Sequence, residues 1–186
     1  MIAGYAMHGY VSEAITLFEK MKACDVKPNH IKMVCVLSAC CHAGLVYEGL
    51  QYFNCMRDYY HIIPTMEHYC CMVDLISRAG KLDEAEGFIN KMPIKPDASV
   101  WMCLLGACKI HNNIGLGESV EKHLFELDVR DVAPYVLLSN IYAMAGRWRD
   151  IEKVRKIMKV RGVKKTPGCS WIEVNKQVHA FLLGER

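Results

Sequence analysis

Residues 67–97 read EHYCCMVDLISRAGKLDEAEGFINKMPIKPD. Gly80 stands near the centre, flanked by two amphipathic stretches, and Lys95-Pro96-Asp97 closes the segment. Met72, Leu75 and Ile76 precede Gly80 at helical spacing; Met92 follows it by 12 residues. Glycine at such a point takes the positive φ that ends a helix. The stretch therefore predicts a helix, a tight turn and a second helix.

The same pattern recurs outward in both directions. Gly9, Gly44, Gly80, Asn112 and Gly146 are separated by 35, 36, 32 and 34 residues. Asn is the other residue that tolerates positive φ readily. Met1, Val36, Met72, Leu104 and Leu138 each lie eight residues before the turn, and Met21, Met56, Met92, Leu124 and Met158 lie 12 after it. Gly4, Ala39, Leu75, Ala107 and Ile141 form a third register, five residues before it. Registers in step place one apolar stripe on each of two helices per unit. A fixed period of this size means stacked helical hairpins, so the expected fold is an all-α solenoid of helix-turn-helix repeats.

Five units follow: 1–29, which lacks its opening because Met1 falls where the middle of a first helix is expected, then 30–65, 66–97, 98–131 and 132–165. Lys27-Pro28-Asn29, Ile63-Pro64-Thr65 and Lys95-Pro96-Asp97 close three of them, and proline there stops the second helix. Glu13, Glu48, Glu84 and Asp150 share a register opening the second helices. Negative charge in a first turn offsets the helix dipole, by about 0.3–1 kcal/mol each, so these acids read as capping features and not as catalytic carboxylates. Beyond 165 the chain alternates: Ser170–Val174 and Val178–Leu182, joined by Asn175-Lys176-Gln177, read as a short β-hairpin. A lone hairpin is marginal in water, so it is expected to pack on the last helices or to continue into further structure.

With 186 residues and 52% hydrophobic content, the chain can build a real core. No apolar run approaches the roughly 20 residues of a membrane span. The opening MIAGYAMHGYVSEA matches neither a signal peptide nor an organelle transit peptide. The ten cysteines fall mostly on helix stripes, with Cys40 and Cys108 in the register of Tyr5, Ile76 and Tyr142, which favours reduced packing thiols over bridges. The net charge of +3 is uneven: residues 1–65 sum to zero, 66–131 to −4 and 132–186 to +7.

No catalytic or metal constellation is present. A zinc deaminase needs H-x-E and C-x-x-C, and neither spacing occurs. Cys40-Cys41 and Cys70-Cys71 are adjacent pairs that point to different helix faces. His8 and His111 sit just before turns, where C-capping explains them. The chain alone is expected not to be an enzyme and to need no cofactor.

These units resemble a known family. GYAMHG (4–9), EAITLFEKM (13–21) and VKPN (26–29) look like a pentatricopeptide repeat. VLSACCHAGLVYEGLQYF (36–53) resembles the long-type repeat of the plant subclass with alternating repeat lengths, and residues 67–97 resemble the short-type repeat that closes such arrays. VWMCLLGACKIHNNIGLGE (100–118) and YVLLSNIYAMAGRWRDIEKVRKIMKVRGVKK (135–165) are similar to the paired extension motifs that follow. The tail, 166–186, is similar to the lead-in to a DYW-type cytidine deaminase domain. The resemblance implies a right-handed α-solenoid in an RNA-binding factor of mitochondria or chloroplasts. It also implies a role in C-to-U editing that couples an RNA-reading array to a deaminase supplied elsewhere. Asn112 departs from the usual glycine, the first repeat is cut, and no deaminase follows Arg186.

In such arrays the fifth and last residues of a repeat read a base. The resemblance carries that role to Asn29 in unit one, Val34 and Thr65 in unit two, and Cys70 and Asp97 in unit three. Val34 and Cys70 lack the paired hydrogen-bonding groups that specify a base. The plain alternative is that Asn29 and Asp97 terminate helices after proline. Independently of the family, Arg149, Lys153 and Lys156 share one face of the last helix, with Arg155, Lys159 and Arg161 nearby and Ile151, Val154, Ile157 and Met158 opposite. That face suits phosphates, an acidic partner, or plain solvation. Trp101, Trp148 and Trp171 are expected to pack rather than to stack on bases. Rival readings are a protein-binding tetratricopeptide-type adaptor, a split deaminase part acting in trans, and a non-functional fragment. The uneven period argues against the first.

Overall fold

A computed structural model describes residues 1–127, 131–165 and 168–182. Among these lie ten helices in five antiparallel pairs: α1 (Ile2–Met7) with α2 (Val11–Ala23), α3 (His30–Ala43) with α4 (Val46–Asp58), α5 (Met66–Arg78) with α6 (Leu82–Asn90), α7 (Ala98–Ile110) with α8 (Ile114–Glu126), and α9 (Ala133–Met144) with α10 (Trp148–Val160). The repeat solenoid is the fold the periodicity predicts.

All five turn residues have positive φ: +79, +68, +84, +52 and +69 for Gly9, Gly44, Gly80, Asn112 and Gly146. Each closes its helix by the same two bonds. At Gly44 the turn N–H donates to the Cys41 carbonyl at 3.2 Å and the Leu45 N–H to the Cys40 carbonyl at 2.9 Å. This is the Schellman arrangement. The outer bond returns to Tyr5, Ile76, Cys108 and Tyr142 in the other four units. The ends of α2 and α10 close likewise at Asp25 (φ +57) and Gly162 (φ +69).

The first helices α1, α3, α5, α7 and α9 pack directly on one another. The backbones of α2, α4, α6 and α8 approach their own first helix and the next one along, and long side chains join neighbouring second helices, as where the Tyr52 hydroxyl donates to Glu19 at 3.0 Å and Phe53 meets Phe88. Two layers result, with one main core running from Phe18 to Val163 and a small separate cluster of Ala6, Ala14 and Ala39 where α1, α2 and α3 meet. Val36, Met72, Leu104 and Leu138 are fully buried on its midline, and Ala39, Leu75, Ala107 and Ile141 flank them. The register fails in unit one. Met1 is 89% exposed and Gly4 is exposed, because α1 has only six residues and no described helix covers its outer side. Met56 and Leu124 are buried, whereas Met21, Met92 and Met158 are only half-buried. Met92 lies beyond the end of α6, and α2 and α10 flank the two ends of the row.

A further register escaped the sequence reading. Five residues after each turn stand Ala14, Gly49, Ala85, Gly117 and Ile151. The first four are small because the second helix crosses close over the first-helix layer. A Cβ on Gly49 would run into Leu75 Cδ2.

Glu13, Glu48, Glu84 and Asp150 do occupy first turns. Asp150 also bridges Lys153 and Arg147, each at 2.7 Å, and these cations hold its carboxyl below the usual range.

The tail forms β1 (Cys169–Val174) and β2 (Gln177–Leu182), antiparallel, with Val174 opposite Gln177. The turn is two residues long, not three. Asn175 and Lys176 have φ of +52° and +63°, the left-handed pair that matches strand twist in a tight hairpin. Every side chain from Cys169 to Phe181 is exposed, so the hairpin does not pack on the last helices. Residues 166, 167 and 183–186 of the expected tail lie outside the described residues.

Candidate nucleic-acid interface

Short turns make the helices of each pair antiparallel, so all first helices run the same way. Their N-terminal ends therefore form a row along one edge of the layer. Asn29, Thr65 and Asp97 are the N-caps of α3, α5 and α7, all three in extended backbone and all exposed. The alternative that Asn29 and Asp97 terminate helices is thus corrected: each starts the next one. Asn29 Oδ1 accepts the Lys32 N–H at 3.0 Å. Asp97 Oδ1 accepts the Ser99 and Val100 N–H groups at 2.9 and 3.3 Å, and the Ser99 hydroxyl at 2.5 Å. Capping thus uses one oxygen of each. That leaves the amide N–H groups of Asn29, which are donors, and Oδ2 of Asp97, an acceptor, outside the capping bonds of these two exposed residues.

Val34 and Cys70 lie one turn into α3 and α5 and are half-buried. Cys70 Sγ sits 3.0 Å from Ser99 Oγ, which in turn bonds Asp97. The fifth and last residues of unit three thus meet across the α5–α7 seam through one hydroxyl. Unit two differs. Val34 offers no polar atom, and His68 bridges the α3–α5 seam. His68 Nε2 lies 3.1 Å from the His30 carbonyl, while Nδ1 accepts the Thr65 N–H at 3.1 Å and lies 2.7 Å from the Thr65 hydroxyl. These partners fit the neutral ring with its proton on Nε2.

Burial holds the His68 pKa below its ordinary value. The unfolded chain then binds a proton more readily than the folded one. The contribution of His68 is complete above about pH 6.5 and is lost as pH falls from there through the folded-state pKa. Unfolding in urea is expected to need less denaturant at pH 5.5 than at pH 7.5. In His68→Gln that difference should shrink; an unchanged difference would assign the pH dependence to other groups.

The basic face of α10 is only partly as expected. Arg149, Lys153 and Lys156 are exposed, as are Arg155 and Lys159. Lys153 is paired with Asp150, while Arg149 and Lys156 have no ion-pair partner among the described residues. Arg161 is not part of this surface. It donates to the Phe125 carbonyl at 3.0 Å and the Tyr135 hydroxyl at 3.2 Å, and lies over the Phe125 ring at 5.0 Å. It locks α10 to α8 and α9.

Of the three tryptophans, Trp101 packs as expected, stacked on His123 at 4.1 Å. Trp148 and Trp171 do not; they are 67% and 69% exposed, one on the first residue of α10 and one on the uncovered hairpin. No described helix is long and apolar enough to cross a membrane.

The PPR repeat model matches residues 1–26, 34–60 and 67–95, and the E motif model matches residues 111–173. Pentatricopeptide repeat-containing protein At2g03880, mitochondrial, of Arabidopsis thaliana is 51% identical over 185 residues, which span 100% of this chain and 29% of that protein. Pentatricopeptide repeat-containing protein DOT4, chloroplastic, of the same plant is 46% identical over 185 residues, 100% of this chain and 21% of that protein. The chain spans under a third of the length of these relatives. The pentatricopeptide repeat protein PPR10 in complex with an 18-nucleotide psaJ RNA element has the same fold, with a TM-score of 0.79 over 89% of this chain and 25% of that one, at 16% identity. PPR10 from maize gives 0.68 over 89% and 24%, at 19% identity. Repeats in the first three units and an E motif over most of the last two cover 145 of the 186 residues between them, and the chain belongs to the pentatricopeptide repeat family.

Proposed function

We propose that this chain is an RNA-binding specificity and recruitment module for C-to-U editing in mitochondria or chloroplasts, of the subclass with alternating repeat lengths. Its array would read single-stranded RNA and its E-motif part would bring a deaminase carried elsewhere to the target cytidine. The observation that supports it most is the row of exposed N-caps, Asn29, Thr65 and Asp97, with spare hydrogen-bonding groups at one end of consecutive first helices. Single-stranded bases expose edges that such groups can pair with. Asn29 would donate to a base acceptor and Asp97 would accept from a base N–H. Thr65, held by His68, would contribute less, and Val34 and Cys70 would supply contact surface. The named compartments of the relatives support the organellar assignment.

Arg149 and Lys156 would add phosphate contacts. Each contact on a single strand steepens the dependence of log K on log salt by about 0.7. The double variant Arg149→Ala/Lys156→Ala of the full-length protein is expected to flatten that slope by about 1.4 on the same basis. An unchanged slope would assign this face to an acidic protein partner or to solvent.

The deciding experiment is organelle RNA sequencing in a plant line lacking the protein. Loss of C-to-U conversion at one or a few cytidines, restored by complementation, is the expected result. Intact editing with altered transcript ends or splicing would move the protein to RNA processing and overturn the editing role.

A further inference from the structure

Cysteines are unusually placed along the first-helix layer. Cys35, Cys71 and Cys103 share one register, nine residues before their turns, and Cys70 stands beside them. All four are half-buried free thiols. Ser99 and Cys103 are four residues apart on α7 and so lie one above the other on the same face. Cys70 Sγ, on α5, touches Ser99 Oγ at 3.0 Å, and α5 packs directly on α7. Cys70 is therefore lodged beside Cys103.

We infer that Cys70 and Cys103 form an oxidisable dithiol that closes to a disulfide across the α5–α7 seam when the protein meets hydrogen peroxide. Cys70 is the nucleophile. Hydrogen bonding from Cys103 pulls its pKa below the ordinary thiol value, while burial and the charges of Asp97 and Glu67 oppose this. The remaining thiols nearby are held protonated. Its neighbour Cys71 is pushed up to about 12, and Cys103 is pushed up by its bond to Cys70 and by burial. The thiolate is the reactive form.

The Cys70 thiolate attacks one peroxide oxygen. An S–O bond forms, the O–O bond breaks, and hydroxide leaves and takes up a proton as water. Cys103 sulfur then attacks the sulfenic sulfur of Cys70. The S–S bond forms, the S–O bond breaks, and the departing hydroxyl takes the Cys103 proton as a second water. Two thiols are oxidised and one peroxide is reduced. Ser99 loses its sulfur partner directly beside Asp97. Any consequence for RNA rests on the proposed reading role of Asp97, but bond formation does not.

The test is peroxide titration of the reduced full-length protein, followed by alkylation and peptide mass spectrometry with linked sites located by fragmentation. A Cys70–Cys103 link is expected, and it should persist in Cys71→Ser. In Cys103→Ser, Cys70 should instead accumulate as a sulfenic acid trapped by dimedone, and in Cys103→Ala, which removes the donor to Cys70, the same adduct should form more slowly. The pH midpoint for alkylating Cys70 should lie below the value of about 8.5 for free cysteine. A Cys70–Cys71 link, the absence of any link at Cys70, or an ordinary alkylation midpoint would each overturn the inference.

Discussion

Truncating Leu104 to alanine is expected to lower the unfolding free energy by about 2–5 kcal/mol, the range for a fully buried leucine whose site cannot collapse. Leu104 is 0% exposed at the centre of α7. That helix packs on α5, α6, α8 and α9, so the cavity opens at two inter-repeat seams at once. In a repeat array, stability is close to a sum of unit terms and nearest-neighbour interfaces. Weakening the two seams around unit four therefore uncouples what lies before it from what lies after. Urea unfolding followed by far-ultraviolet circular dichroism is expected to move to lower denaturant and to broaden or split into two steps. Leu50, on α4, is 36% exposed and serves as the control. Its truncation should cost within about 0.5 kcal/mol, as for surface positions. Equal losses at the two sites would mean that the burial pattern does not describe the folded core.

The solenoid was legible because one geometric requirement repeats. Each first helix ends in a left-handed residue, and the bond that closes it returns to a fixed carbonyl, that of Tyr5, Cys40, Ile76, Cys108 or Tyr142. Position within the unit then determines burial, so Val36, Met72, Leu104 and Leu138 can be read from spacing alone. Spacing carries less where an element lacks a neighbour. Met1 and Gly4 obey the register and are exposed, because burial depends on a covering helix that the residue itself does not encode. The hairpin shows the same limit. Alternation predicted its strands, but not what would cover Trp171 and Phe181, which are 69% and 54% exposed. The small residues Ala14, Gly49, Ala85 and Gly117 were missed because a close helix crossing leaves no hydrophobic signal, only a shortage of volume.

At the candidate interface, the three terminal residues were visible because each follows a proline-bearing linker, but their second role was not. Asn29 and Asp97 cap the following helix, and Ser and Asp side chains compete for backbone N–H groups in this way generally. The bridging residues were invisible. Ser99 and His68 sit at ordinary helix-start positions, and only the packing of α5 on α7 and of α3 on α5 gives them partners. A weak signal existed for His68, since Thr65 and His68 have the three-residue spacing of a capping box. Arg161 was misassigned for the opposite reason. It stands in a basic run, and nothing in that run distinguishes a charge that faces solvent from one that holds Phe125 and Tyr135.

Asp97→Asn separates reading from folding at one residue. Asn and Asp are near-equal N-caps, so the variant keeps an oxygen for the Ser99 and Val100 N–H groups. Thermal stability should change by only a few tenths of a kcal/mol. The group outside the capping bonds changes sign, from a carboxylate oxygen that accepts to an amide that donates. A base bound through its N–H then loses its acceptor and faces a donor. Leaving such a group unpaired costs about 1–3 kcal/mol, which is roughly a 5- to 150-fold loss of affinity. A base offering an acceptor at that edge should gain by comparison. The measurement is binding of the full-length protein to RNA oligonucleotides that carry each of the four bases in turn at the position facing unit three. A crossover in preference between wild type and Asp97→Asn is expected, with thermal midpoints nearly equal. Uniform weakening across all four bases would reduce Asp97 to a helix cap. No change in binding at all would remove unit three from the RNA surface, and with it the chemistry proposed for this edge of the array.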